Sequence, residues 1–157
     1  MLETFERDED LPELGWADFP EAMTAMAAGQ LMSIEARKVL AQGERVEHPH
    51  ANGRTVLHHW APAESNGQPP VVLLHGGSGS WTHWVRSILP LVEAGHDVWT
   101  VDLPGMGDSD NVEGAQDADG LLDTLAQMLQ ELFPLQPVQL VGFSFGGMTA
   151  GMLAAAH

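Results

Sequence analysis

Two features of the sequence predict an α/β fold with a mostly parallel sheet. From Val71 onward, three short apolar runs of strand character, Val71–Leu74, Asp97–Val101 and Val138–Val141, alternate with stretches of helical character in the order β-α-β-α-β-α. Strands separated by helices need crossover connections, so they lie parallel with the helices on the sheet faces. Ahead of them, Val46–His50 and Thr55–Trp60 flank Asn52-Gly53, which predicts a β-hairpin closed by a type I′ turn, because both central residues of that turn need positive φ.

At 157 residues the chain suits a single domain, and its 44% apolar content is that of a globular protein. It carries 22 Asp and Glu against 6 Lys and Arg, a formal charge of −16, and no basic residue follows Arg86. That balance excludes nucleic acid and anionic membrane surfaces as expected partners. The chain has no cysteine, which removes disulfides, thiolate metal sites and a cysteine nucleophile. With an acidic start and no apolar run near the ~20 residues that span a bilayer, the expected location is the cytoplasm.

Residues 1–19 read as an acidic arm (Glu3, Glu6, Asp8, Glu9, Asp10) broken by Pro12 and Gly15. From Glu21 to Ala41, Met23, Met26, Ala27, Leu31 and Ile34 recur at three or four, the stripe of a packed helix that Gly29 weakens. Met32 is a second candidate start. Residues 1–43 are thus expected to be an extension and residues 44–157 the α/β domain.

In that domain Pro49 cannot donate to a sheet ladder, so the first hairpin strand belongs on an edge. Val71–Leu74 is continuously apolar, as a strand covered on both faces must be. It runs into His75-Gly76-Gly77-Ser78-Gly79-Ser80, after which a helix is predicted over Trp81–Ala94, capped by Ser80 and ended by Gly95. The next strand leads to the turn-rich loop Asp102–Ser109. Leu121, Leu122, Leu125, Met128, Leu129 and Leu132 then mark an amphipathic helix, with Asp117, Asp119 and Asp123 at its positive end and Pro134 beyond it.

The last strand delivers Gly142-Phe143-Ser144-Phe145-Gly146 and a helix over Met148–Ala156. A serine at the apex of so sharp a strand-to-helix bend takes a strained backbone, and Gly142 and Gly146 leave room where strand and helix nearly touch. The bend lifts the Ser144 hydroxyl clear and aims the Phe145 N–H and the helix N-terminus at the place where an oxyanion would form. An ordinary serine in a glycine-rich turn is the plainer alternative.

Three stretches in register, His75-Gly76-Gly77, Asp102-Leu103-Pro104-Gly105-Met106-Gly107-Asp108-Ser109 and Gly142-Phe143-Ser144-Phe145-Gly146, resemble the N-terminal half of the α/β-hydrolase superfamily over residues 44–157. The resemblance implies Ser144 as nucleophile, the backbone N–H groups of Phe145 and Gly77 as oxyanion donors, and His75, Gly76, Gly142 and Gly146 as their support. It implies a small acyl substrate (an ester, thioester or lactone), an acyl-serine intermediate, no cofactor and no metal. Serine at the bend argues against the family's dehalogenase and epoxide hydrolase branches, which use a carboxylate, and leaves carbon–carbon bond hydrolysis and acyl transfer open. In the family the acid and histidine of the triad follow the serine on later strands, and only His157 follows Ser144 as a histidine. The expectation is therefore a sheet truncated after the elbow helix, weakly active by itself, with an unpaired edge at residues 138–141 open to self-association.

Other residues have milder expected roles. His75 is expected to brace its loop rather than act as base, His83 and His96 to lie on a helix surface and in a turn, and Asp102 and Asp108 to hold the Pro-Gly turn. His48 and His50 share a strand face, and His58-His59 adjoin, without an evident third metal ligand. A dinucleotide-binding module is the rival class, since Gly77-Ser78-Gly79 and Asp102 mimic part of its fingerprint, but Thr82 replaces the third glycine and Gly142–Gly147 goes unused. A half that pairs with another polypeptide is the non-catalytic alternative.

Overall fold

A computed structural model describes residues 32–114 and 118–156, with side chains at all of these but 118 and 119. The acidic arm, residues 21–31 of the helix expected over 21–41, Asp117, the side chain of Asp119, and His157 lie outside the described residues. The chain divides into two units between Arg37 and Lys38. Helix α1 is Ile34–Leu40, opened by Ser33 Oγ, which accepts the Ala36 N–H at 3.1 Å.

Strands β1 (Glu44–His50) and β2 (Gly53–Trp60) form the expected hairpin, but its turn is a different one. His50 pairs with Gly53, so the connection is Ala51-Asn52, and neither Asn52 nor Gly53 has positive φ. The type I′ expectation is thereby corrected. Gly53 serves packing instead: a Cβ there would lie 2.5 Å from Cβ of Asp110. Asp110 Oδ2 accepts the Arg54 N–H and the Asp110 N–H donates to the Arg54 carbonyl, both at 2.9 Å, so a distant loop clamps the hairpin at this point.

Among the described residues the sheet has five strands in the order β1-β2-β4-β3-β5, with β3 at Val71–Leu74, β4 at Val98–Val101 and β5 at Gln139–Gly142. β3 pairs in parallel with β4 and β5, while β2 is antiparallel to both its neighbours. Pro49 thus sits on an edge strand, and all four β3 residues are buried. The expected helix after β3 opens with a 3-10 turn, Trp81–Trp84, before α2 (Val85–Glu93). Ser80 Oγ caps it by accepting the Thr82 N–H, and Gly95 ends it at φ 86°.

Helix α3 (Ala118–Leu132) buries Leu121, Leu125 and Met128 against Leu57, Val72, Leu74, Val101 and Leu103 of the sheet side, together with Leu153 of α4 (Phe145–Ala156). Each such side chain contributes about 1.5–3 kcal/mol when taken from water. Strand β5 is the other sheet edge, and its Val141 is exposed. Beside it an apolar groove of about 740 Å³ runs between α3 and α4, with Leu129, Phe133, Leu140 and Ala150 in its walls. Among the described residues no helix is long and apolar enough to cross a membrane.

Candidate active site

Ser144 stands between β5 and α4 with φ 53°, a left-handed conformation that costs a non-glycine residue roughly 1–2 kcal/mol. Its surroundings hold it there. The Phe143 N–H donates to the Leu74 carbonyl at 3.0 Å, tying the bend to β3. The Gly146 N–H donates to the Phe143 carbonyl at 2.9 Å and the Met148 N–H to the Ser144 carbonyl at 3.1 Å, starting the helix at once. A Cβ on Gly142 would overlap the Gly146 carbonyl, and one on Gly146 would overlap the Leu74 and His75 carbonyls. The two glycines therefore let α4 press against both strands, and Ser144 projects from the crest as an exposed residue.

The facing wall is the loop after β3. His75 is fully buried, and its Nε2 accepts the Leu103 N–H at 2.9 Å. In the neutral ring Nδ1 then carries the proton and donates to the Gly76 carbonyl at 2.7 Å. That carbonyl and the Gly77 N–H belong to one trans peptide and point opposite ways, so His75 sets the direction of the Gly77 N–H. Burial pushes the His75 pKa below its ordinary 6.5, against the pull of the Gly76 carbonyl; nearby His83 lowers it further. Among the described residues no backbone carbonyl accepts the Gly77 or the Phe145 N–H. The two residues face each other: a Cβ on Gly77 would stand 3.9 Å from Cβ of Phe145.

His83 was expected on a helix surface, and the structure gives it a larger part. Its Nδ1 accepts the Gly76 N–H at 3.2 Å, and its ring stands edge-on to both His75 and Phe143 at 5.9 Å. No local pattern marks this residue, because the contact depends on how the loop folds back.

Asp102 is buried, with Oδ1 accepting the Trp81 N–H at 2.7 Å and Oδ2 the Asp108 N–H at 3.0 Å. Burial raises its pKa, while those two amides and His58 hold it down. Both oxygens are thus engaged in holding the loop, as the turn-bracing expectation has it, and burial keeps the carboxylate from a ribose hydroxyl. Asp108 lies near the surface, 3.7 Å from Arg45.

The profile of the alpha/beta hydrolase fold family matches residues 69–157, more than half of the chain. The chain belongs to this family. A 2-hydroxy-6-oxononadienedioate/2-hydroxy-6-oxononatrienedioate hydrolase of Escherichia coli (strain K12 / DH10B) is 35% identical over 98 residues, 60% of this chain and 34% of the relative. Among solved structures, a thioesterase domain from the curacin biosynthetic pathway matches with TM-score 0.64 and 29% identity, over 73% of this chain and 40% of its own. A membrane phospholipase A, described as a bacterial virulence factor, matches with TM-score 0.68 and 26% identity, over 90% and 44%. This alpha/beta hydrolase chain spans about a third of the length of the curated relatives it matches.

Three other histidines of this alpha/beta hydrolase chain make their contacts elsewhere in the fold. His48 pairs with Glu131 at 2.9 Å, and His59 pairs with Asp97 at 2.6 Å while stacking on Trp99. His58 is buried between Trp60 and Trp81, and burial lowers its pKa. Among the described residues no group of three His, Cys, Asp or Glu is placed to hold a metal ion.

Proposed function

We propose that this chain supplies the nucleophile and the oxyanion donors of a serine hydrolase acting on an ester or related acyl substrate. Ser144 Oγ attacks the acyl carbon and gives up its proton to a base. The carbonyl oxygen becomes an oxyanion held by the Gly77 and Phe145 N–H groups, with the positive end of α4 behind it. Collapse breaks the bond to the leaving group, which departs with a proton, and leaves an acyl-serine. Water then attacks the acyl carbon, the carboxylic acid leaves, and the serine recovers its proton.

The observation that carries this reading is the left-handed, exposed Ser144 at a bend made possible by Gly142 and Gly146. A relative named as a hydrolase and a structural neighbour named as a thioesterase domain fit the same reaction class. The base is assigned to none of the described residues: the accepting nitrogens of His75 and His83, the two imidazoles of the loop, are both spent on backbone N–H groups. Without a base the serine is a poor nucleophile, so the acceleration these described groups supply by themselves is limited to the roughly 10³ to 10⁴-fold of oxyanion stabilisation and binding.

The test is p-nitrophenyl acetate turnover by the full chain and by Ser144→Ala, with peptide mass spectrometry of the product. Slow release of p-nitrophenol that needs Ser144, with an acetyl group on that residue, is the expected result. Equal rates in the two proteins, or acetylation elsewhere, would overturn the reading.

A further inference from the structure

Gly76 is held through both of its polar backbone groups by imidazoles. Its carbonyl accepts from His75 Nδ1 at 2.7 Å and from the Gly79 N–H at 3.1 Å, and its N–H donates to His83 Nδ1 at 3.2 Å. The carbonyl bond orients the peptide that carries the Gly77 N–H; the N–H bond orients the peptide before it. Glycine has the widest choice of φ and ψ of any residue, so a loop of Gly76 and Gly77 keeps one conformation only if both planes are pinned.

We propose that His83 is a positioning residue for the oxyanion donor at Gly77, an assignment that rests on the serine hydrolase reading above. His75 can set the second peptide plane only while the first is fixed, and His83 fixes it. The ring also measures the gap across the site. It packs on Gly79, where a Cβ would lie 2.7 Å from Nε2, and it stands edge-on to Phe143, the residue before Ser144, at an interplanar angle of 83°. Phe143 in turn lies over Gly76, where a Cβ would be 2.9 Å from Cδ1. His83 is thus wedged between the loop bearing one donor and the bend bearing the other. The residue is itself exposed, so its contribution is direction rather than buried area.

The experiment measures Ser144-dependent p-nitrophenyl acetate turnover in the full chain for wild type, His83→Ala and His83→Asn, each against its Ser144→Ala counterpart. Asparagine Oδ1 can accept the same N–H. His83→Ala is expected to lower kcat by about 10-fold or more, less than the 10² to 10³ of losing a donor outright, with KM and melting temperature little changed. His83→Asn is expected to restore most of it, and hydrogen exchange at the Gly76 amide should be slow in wild type and His83→Asn and fast in His83→Ala. If His83→Ala fails to fold, His83→Leu, which keeps bulk without an acceptor, is read the same way. Unchanged kcat in a folded variant without the acceptor, or no rescue by asparagine, overturns the role of His83 while leaving the serine reading intact. Turnover independent of Ser144 in wild type overturns that reading, and this role with it.

Discussion

The Leu103 N–H donates to His75 Nε2 at 2.9 Å across 28 residues of sequence, and only a ring unprotonated at that nitrogen can receive it. The bond joins the loop after β4 to the loop after β3 and makes the second depend on the charge state of one buried imidazole.

Acid should therefore loosen the protein. In the fold the His75 pKa lies below 6.5, whereas the unfolded ring takes up its proton near that value. Below pH 6.5 the unfolded chain binds more protons, so this contribution to stability is present above 6.5 and is lost as pH falls toward the folded pKa. Buried His58 acts in the same direction; Asp102 and Asp108 work against its shift and Arg45 with it. Asp102, raised above 3.8, contributes with the opposite sign, which makes a difference measurement the clean one. Urea midpoints measured across pH 6.5 should fall on acidification in wild type and fall less in His58→Phe; parallel curves would refute the claim for His58.

The close approach of strand and helix predicts unequal costs for two glycine substitutions. Gly146→Ala would drive a Cβ into two backbone carbonyls and is expected to cost more than about 3 kcal/mol or prevent folding. Gly77→Ala meets only an ordinary contact with Phe145 and should melt within about 1 kcal/mol of wild type. Thermal denaturation of both variants checks the pair.

Strain at Ser144 predicts a gain from removing its side chain altogether. Ser144→Gly relieves the left-handed φ of 53°, while Ser144→Ala keeps the strain. Glycine is expected to be the more stable of the two by about 1 kcal/mol, after its larger unfolded-state entropy is set against the relief. Equal stability by chemical denaturation would mean that the bend is relaxed.

Strand β5 predicts association with a second copy. Among the described residues no strand pairs with its outer edge, and the groove beside it is lined by no charged residue although the chain carries −16. Two uncharged edges can meet about a two-fold axis without bringing carboxylates together. Sedimentation velocity should show concentration-dependent association that Val141→Lys weakens; a monodisperse monomer at all concentrations would contradict it.

The sequence by itself determined the elements and the bend. Short continuous apolar runs, the Ser80 cap, the stop at Gly95, Pro49 on an edge and the glycines around Ser144 are all matters of local sterics and local hydrogen bonding, which neighbouring residues decide among themselves. Only the tertiary structure decided that Gly53 makes room for Asp110 rather than for a turn, that Asp102 spends both oxygens on the amides of Trp81 and Asp108, and that His83 holds Gly76. The Gly53–Asp110 and Asp102–Trp81 contacts join residues far apart in the chain and exist only once the β1-β2-β4-β3-β5 sheet has brought their loops together, whereas Asp102–Asp108 and Gly76–His83 are near in sequence but depend on how each loop folds back.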